Sequence, residues 1–469
     1  MSTLFRICGL ALIISGAGCG APADAVDSAA EFAAQGNSWM ELRNFNDALK
    51  CYNQAIQRAP DRAEYYVFRA HAELNNGDNK AALKDCDAAV QLDPENAVTH
   101  LCRGDVRRAR GDLDGAIEDF SEVIRIDPKS TTAYFHRAHA WNEKRNFDAA
   151  ISDYSEFLRR EPVNSEAYSN RGLVRYEKDD FDAAMKDFSA AIQYDAKNAT
   201  AYSGRGMVWH MQGDYLAAIE EYNAAIRINP NDAAFYVSRG LSWQARDELD
   251  FALKNYSEAI QLDPKLASAY QSRATVWHTK SDYIAAVKDY TAAIRLNPKD
   301  AKTFDGRGRS WYAQGDLDAA LKDFSEAIRL DPKDLGSYFN RGNLAFESGD
   351  YISAVKDYTE AMRLDPKSVE ACGSMAWICA TCPDDSYRDG RKSITLATQA
   401  CELSNWTLPF PIATLAAAHA ECGEWEQAVK RQEQAIEKMT DDEAKQDERD
   451  RLELYRQHKP YRQKPKQQN

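Results

Sequence analysis

An arginine returns every 34 residues through most of this chain: Arg69, Arg103, Arg137, Arg171, Arg205, Arg239, Arg273, Arg307 and Arg341 are equally spaced, each followed by Gly or Ala. A fixed period of this length constrains the architecture more than any composition does, because each period must be one supersecondary unit stacked on its neighbours. Prolines keep the same register at Pro60, Pro94, Pro128, Pro162, Pro230, Pro264, Pro298, Pro332 and Pro366, with Ala196 at the one missing place. Ten units therefore run unbroken from Ala29 to Ser368. Numbered 1 to 34 within each unit, position 20 is alanine throughout, from Ala48 to Ala354, and position 8 is always Gly or Ala. Position 24 is aromatic except at Cys86, and position 4 is Phe or Tyr except at His100.

These positions describe a helix hairpin. Small residues at 8 and 20 allow two antiparallel helices to approach closely, while aromatic residues at 4, 11, 17 and 24 fill the space around the contact. Position 16 is Asp or Asn in all units but the one with Glu248, which suits the N-cap of the second helix because the side-chain oxygen accepts from a free backbone N–H. Proline at 32 is expected to stop that helix. One hairpin cannot bury both of its faces, so the units must stack into an all-α solenoid.

The pattern of an aromatic at 4, Gly or Ala at 8, an aromatic at 11, Ala at 20, an aromatic at 24 and Pro at 32 resembles the tetratricopeptide repeat, and it covers about three-quarters of the chain. The resemblance implies a right-handed α-solenoid of helix-turn-helix hairpins whose first helices line a concave, peptide-binding groove. Residues 369–408 are expected to form a longer, degenerate unit: helix VEACGSMAWICAT, an inserted loop CPDDSYRDG, then helix RKSITLATQACEL. Residues 409–442 follow as a final unit, with Ala416, Gly423, Trp425, Ala428 and Ala435 in register. Thr440 with Glu443 forms the signature of a capping box opening a polar helix over 443–457, and residues 458–469 are expected to be a basic, disordered tail.

Arginine at position 7 departs from the family, which usually places an apolar residue there. Position 23 carries Asp85, Asp119, Asp153, Asp187, Glu221, Asn255, Asp289, Asp323 and Asp357 in the same units. A desolvated guanidinium needs a carboxylate and further acceptors. We therefore expect a structural ladder between the two helices of each hairpin, with Arg103–Asp119, Arg137–Asp153, Arg171–Asp187, Arg307–Asp323 and Arg341–Asp357 among its rungs. The rival reading is a basic stripe that holds an acidic peptide.

Position 7 lies on the packing stripe, whereas positions 2, 5, 6, 9, 12 and 13 vary from unit to unit. In the family these variable positions contact peptides. Here they include Phe135, His139, Tyr176, His210, His278, Arg309, Tyr312, Phe339, Asn343 and Phe346. They form an aromatic, weakly charged groove suited to extended or helical segments with apolar anchors. The Lys and Asn set that clamps chaperone C-termini in this family cannot be assembled.

The formal net charge is −14, which speaks against a nucleic-acid partner. No nucleophile elbow, phosphate-binding loop or dinucleotide fingerprint occurs, and an array from 29 to 442 leaves no room for a separate catalytic domain. We expect neither enzymatic activity nor a cofactor. His136 and His139, three apart on one helix, could share a ligand, but a third ligand at metal spacing is missing. Cys51, Cys86 and Cys102 fall at scattered positions and suit small buried hydrophobes. Cys372, Cys379, Cys382, Cys401 and Cys422 gather near the C-terminus. The Cys379–Cys382 spacing invites redox or zinc chemistry, and a disulfide such as Cys382 to Cys401 is conceivable in an exported protein, against ordinary packing thiols.

The first residues have the layout of an export signal: Arg6, an apolar run from Ile7 to Ile14, then small residues. Gly16, Ala17, Gly18 and Cys19 resemble the lipobox of bacterial lipoproteins, which implies a signal peptide over 1–18, acylation at Cys19 and a tether over 19–28. The residue three places before the cysteine is Gly16, where a branched apolar residue is usual. Cleavage after Ala23, giving a secreted protein, is the alternative. The whole reads as an exported scaffold or adaptor, lipid-anchored on the periplasmic side of a bacterial envelope membrane, that binds protein or peptide partners. The rivals are a non-catalytic regulatory subunit of an envelope glycosyltransferase or protease, and a metal-responsive sensor.

Overall fold

The computed structural model describes residues 23–463. The expected signal peptide and the expected acylation site at Cys19 lie outside these residues, as does the end of the basic tail. Twelve consecutive pairs of α-helices, a single 3-10 turn and one last α-helix make up the described chain, with no strand among the described residues. The chain divides into two compact halves, Met1–Asn229 and Pro230–Asn469. No helix among the described residues is long and apolar enough to cross a membrane.

In the regular units the first helix, A, occupies positions 1 to 13 and the second, B, positions 17 to 30, as in Ala63–Asn75 with Asn79–Leu92 or Thr131–Glu143 with Phe147–Arg160. The first A helix starts early, at Ala23, so residues 23–28 of the expected tether are helical. Ala23 and Ala25 favour helix, and Asp24 lies in the first turn, where the helix dipole favours a negative charge.

Helix B begins where position 16 places it. Asn44, Asp78, Asp112, Asn146, Asp180, Asp214, Asp282, Asp316 and Asp350 each accept from the backbone N–H three residues on, whereas Glu248 makes no such bond. A carboxylate on one more methylene overshoots the cap. The turn before it needs a left-handed residue at position 15. Gly77, Gly111, Gly213, Gly315 and Gly349 supply it in five units; Arg43, Arg145, Asp179, Asp247 and Ser281 adopt φ near +60° in the other five.

Proline is not what ends helix B. The unit with Ala196 in its place stops at the same position, Tyr194, with Asp195 extended at φ −141° and ψ 99°. There the Asp195 carboxylate accepts from Lys197 N at 2.9 Å, the same Asx turn that Asp127, Asp263, Asp331 and Asp365 make in units that keep the proline.

The hairpin interface is as tight as positions 8, 20 and 24 require. Alanine at 20 is fully buried in all ten units. A Cβ on Gly104, Gly172 or Gly240 would lie 2.6 to 2.8 Å from the ring at position 24 of its own unit. Beyond the array the pairing continues with Val369–Thr381 and Gly390–Leu403, separated by the short turn Asp385–Tyr387, then Pro409–Glu421 and Trp425–Lys438. The last helix spans Asp442–Arg456; the side chain of Glu443, on which the capping box depends, lies outside the described residues.

Candidate interaction face and the arginine ladder

The position-7 arginines lie in the hairpin interface. Arg137 donates from Nε and Nη2 to the two carboxylate oxygens of Asp153 at 2.7 and 2.8 Å; Arg171 meets Asp187 at 2.9 and 2.7 Å. Arg307–Asp323 and Arg341–Asp357 repeat this fork at 2.8 Å, as do Arg69–Asp85 and Arg273–Asp289 at 2.5 to 2.9 Å. In the remaining bidentate rung, Arg103 places Nη2 2.7 Å from Asp119.

A further contact was not expected from the sequence. Nη1 crosses to helix B of the preceding unit, where position 25 supplies an acceptor: Asn53, Ser121, Ser155, Ser257, Thr291 and Ser325 at 2.6 to 3.1 Å, and Asp87 at 3.3 Å. Each guanidinium also stacks on the aromatic ring at position 4 of its own helix where one is present, as over Tyr168 at 5.5 Å and Tyr134 at 5.7 Å. A rung therefore joins three helices and two units. The side chains are largely withdrawn from water, 14% exposed for Arg171 and 4% for Asp187, which leaves little of either group to hold an acidic peptide.

The rungs are not uniform. Position 11, Trp in six units, is Arg107 and Arg175 in two others. Both donate to the rung carboxylate, so Asp119 and Asp187 are each held by two arginines. At the same position Glu73 faces Asp85; burial first, then that neighbouring charge, raises its pKa to about 7. Glu221, longer than Asp, takes Nη2 of Arg205 and leaves Nε buried without a partner. Asn255 takes Nε of Arg239 at 2.7 Å, and burial lowers the pKa of that arginine, whereas the carboxylate raises those of Arg69, Arg137 and Arg341.

The residues expected to line the groove are half-buried apart from Arg309, which is exposed. In the first half, Phe135, His139 and Tyr154 form an edge-to-face cluster with centroids 4.7 to 5.8 Å apart. Burial, with help from Arg108 and His136, depresses the His139 pKa to about 4, so this ring is neutral. His136 turns away to Asp105, Nδ1 to Oδ1 2.5 Å, and does not share a partner with His139. Where both positions carry a ring, in either half, the ring at position 12 packs on the ring at position 17 of the same hairpin. Tyr176 meets Phe181, His210 meets Tyr215, His278 meets Tyr283 and Phe346 meets Tyr351 at 5.2 to 5.8 Å.

In the second half, Arg309 is tethered to Asp305 at 3.0 Å. Phe339 lies 6.0 Å from Tyr358, whose hydroxyl donates to Asn343 at 2.6 Å. Burial, then the neighbouring Glu347, raises the Tyr312 phenol above its ordinary value. Asn37 likewise accepts from Tyr52 and Thr275 bonds Tyr290. A polar residue at position 9 thus often serves the buried tyrosine at 24, a signal readable from whether position 24 is Tyr or Phe. The face presents rings already locked in place, which lowers the entropy cost of binding to them.

The tail corrects one expectation. Residues 459–463 are not a free tail but return to the A-helix face near the C-terminus. Tyr461 packs on Trp377 with centroids 5.8 Å apart, Arg462 pairs with Glu421 at 2.6 Å, and Gln463 N donates to Thr381 O at 2.9 Å. Arg451 stacks on both Tyr461 and Trp377. Counting from Val369, Trp377 and Thr381 hold positions 9 and 13, so the segment lies on the face that family members use for peptides. An aromatic clamp and an acidic partner outweigh the tail's overall polarity.

Cys382 and Cys401 are not bridged to each other. Burial raises the pKa of Cys379 and Cys382, and that of Cys401 to about 11, which makes them poor nucleophiles. No group of three His, Cys, Asp or Glu side chains able to hold a metal occurs among the described residues.

Tetratricopeptide repeat models match residues 33–97, 143–193, 169–233 and 336–368, and a TPR repeat model matches 104–144 and 308–349. Together with the helix pairs and their period, these matches place the chain in the tetratricopeptide repeat family, whose members bind protein partners; the fold is a scaffold suited to protein–protein interaction. The chain is similar to yeast Tom70 (17% identity, 92% of this chain and 96% of that one, TM-score 0.40). It is also similar to Cut9 in the APC/C Cut9–Hcn1 hetero-tetramer (12%, 90% and 96%, TM-score 0.46). A tetratricopeptide repeat protein from Parabacteroides merdae matches over 53% of this chain and 98% of its own (20%, TM-score 0.47). Comparison with curated proteins gives no match.

Proposed function

We propose that this protein is an exported, lipid-anchored adaptor of a bacterial envelope that holds extended segments of partner proteins on the A-helix face. The observation that carries the binding face is a contrast between positions: the interface positions 8 and 20 hold nearly one residue type, while 5, 9 and 12 present differing, half-buried rings and histidines. The docking of residues 459–463 supports the same reading, because it uses an aromatic ring, an ion pair and a backbone hydrogen bond together. The export and anchor rest on Arg6, the apolar run Ile7 to Ile14 and the lipobox-like residues 16–19.

The test is affinity capture of the full-length protein from its own membranes, with mass spectrometry of the bait's N-terminal peptide and its companions. A diacylated peptide beginning at Cys19, with envelope proteins that are lost from an Arg309→Ala, Tyr312→Ala variant, is the expected result. An N-terminus at Met1 or Ser2 overturns the anchor. Companions unchanged in the variant remove this stretch of the face from the binding site, and a stoichiometric glycosyltransferase or protease among them makes the protein a regulatory subunit.

A further inference from the structure

Position 24 of one unit meets position 6 of the next. Tyr52 lies against Phe68 and Phe120 against His136, with ring centroids 5.9 and 5.7 Å apart. Where the second residue is glycine the ring comes closer: a Cβ on Gly204 would sit 2.3 Å from Phe188, and one on Gly306 would sit 2.6 Å from Tyr290. This contact between neighbouring units is built on the aromatic ring, and the ring is missing in one unit, where Cys86 replaces it. The residue opposite is Cys102. The two Sγ atoms are 2.8 Å apart, and the residues are 0% and 1% exposed. The core around them, Ala63, Val67, Ala70, Ala82, Ala89 and Val106, contains no buried ring. The next unit also lacks its position-4 aromatic, with His100 in its place.

We infer that Cys86 and Cys102 form a disulfide that staples the second unit to the third, compensating covalently for the packing that the absent ring would supply. A thin interface is costly in a solenoid, because each unit is held only by its neighbours. The bond closes a short loop, from helix B of one unit to helix A of the next, across the interface that lost its aromatic contact.

The oxidant is a disulfide, either a low-molecular-weight one or that of a thiol oxidase. One cysteine thiolate attacks a sulfur of the oxidant, forms a mixed disulfide and expels one thiol. The second thiolate then attacks the cysteine sulfur of that mixed disulfide, closing Cys86–Cys102 and expelling the other thiol. Two electrons and two protons leave the protein, and the oxidant is reduced to two thiols. The hydrogen bond with Cys86, then burial, raises the Cys102 pKa well above that of a free thiol, and both thiols are buried once folded, so the exchange belongs to folding, before helix A of the third unit covers the pair. Once formed, the bond is shielded from reductant by the same burial.

The full chain, reduced and denatured, is refolded in a buffer of oxidised and reduced glutathione, quenched with acid, alkylated and mapped without reduction. The expected product is a peptide pair joined through Cys86 and Cys102 in most chains. Cys86→Ala should leave Cys102 alkylated and not paired elsewhere. Hydrogen exchange should slow roughly tenfold or more in residues 79–109 on oxidation, with no change in residues 301–364. Alkylation of both cysteines in most folded chains overturns the inference, as does pairing spread over the other cysteines or a joined pair with unchanged exchange. The mapping uses wild-type protein, so it stands even if the variant folds poorly, and it does not depend on where the protein resides.

Discussion

The regular array and the C-terminal units solve the same packing problem with opposite chemistry. In most units of the array, positions 7 and 23 hold an arginine and a carboxylate joined by a bidentate bond, as in Arg137 with Asp153. In residues 369–408 the helices Val369–Thr381 and Gly390–Leu403 set Met375 and Leu396 at those positions, both buried in one apolar cluster. The hairpin closes either way, so the ladder is not needed merely to bring helix B onto helix A. It differs in direction: an apolar pair accepts many neighbours, whereas an arginine fork that also reaches position 25 of the preceding unit has one geometry. In a chain whose ten units are near copies, that leg of the bond distinguishes correct stacking from a slipped one.

This contrast can be broken most severely by placing a charge where the array's partner is missing. Met375→Arg should cost about 4 kcal/mol or more, because its guanidinium would face Leu396 with no carboxylate. Urea unfolding with limited proteolysis of the C-terminal units reads the loss, and a wild-type midpoint would show that the corner is not apolar in the required sense. Next, Asp153→Ala should cost about 3 kcal/mol by stranding Arg137, while the double change Arg137→Met, Asp153→Leu, which copies the C-terminal solution, should fall within about 1 kcal/mol of wild type. If the double variant is as unstable as the single one, the two chemistries are not interchangeable.

The smaller effects sharpen the comparison within the ladder. Glu73 has a folded pKa of about 7 against an ordinary 4.5. The folded state therefore holds its proton more tightly, and the stability this group contributes is complete below about pH 4.5 and declines as pH rises through 7. Glu73→Gln should remove that decline, gaining about 1 kcal/mol at pH 8 after allowance for partial exposure, and equal pH profiles would refute it. Glu221→Asp should let the carboxylate reach the unbonded Nε of Arg205 and add about 1 kcal/mol, measured as a rise in urea midpoint. Arg145→Gly, at a left-handed turn position, should add about 0.5 to 1 kcal/mol. A loss there would mean that the arginine side chain does more than its backbone strain costs.

Legibility followed locality. The N-caps at position 16 could be read residue by residue, down to the exception at Glu248, because a cap depends on three neighbouring residues. The pairing of 7 with 23 was readable because it recurs within one hairpin. The bond from position 7 to position 25 of the preceding unit was missed, although small polar residues stand at 25 in every unit, because the relative placement of two hairpins is not written in either one. Asn343 seemed available to a ligand, but it accepts from Tyr358 of its own hairpin, a pairing that only some units repeat. The role of proline was over-read: Ala196 ends its helix at the same place through Asp195.

By itself, then, the sequence determined the period, the helix pairs, their caps and the recurring positions 7, 8, 20, 23 and 24 that meet within a hairpin, because each depends on short separations along the chain and on side-chain size. Only the tertiary structure decided which polar atoms were already satisfied. It turned the groove histidines toward Tyr154, Tyr215 and Tyr283, returned residues 459–463 to Trp377, and set the thiols of Cys86 and Cys102 side by side. Those outcomes follow from desolvation, because a buried donor or ring must find its partner in three dimensions whatever its place in the chain.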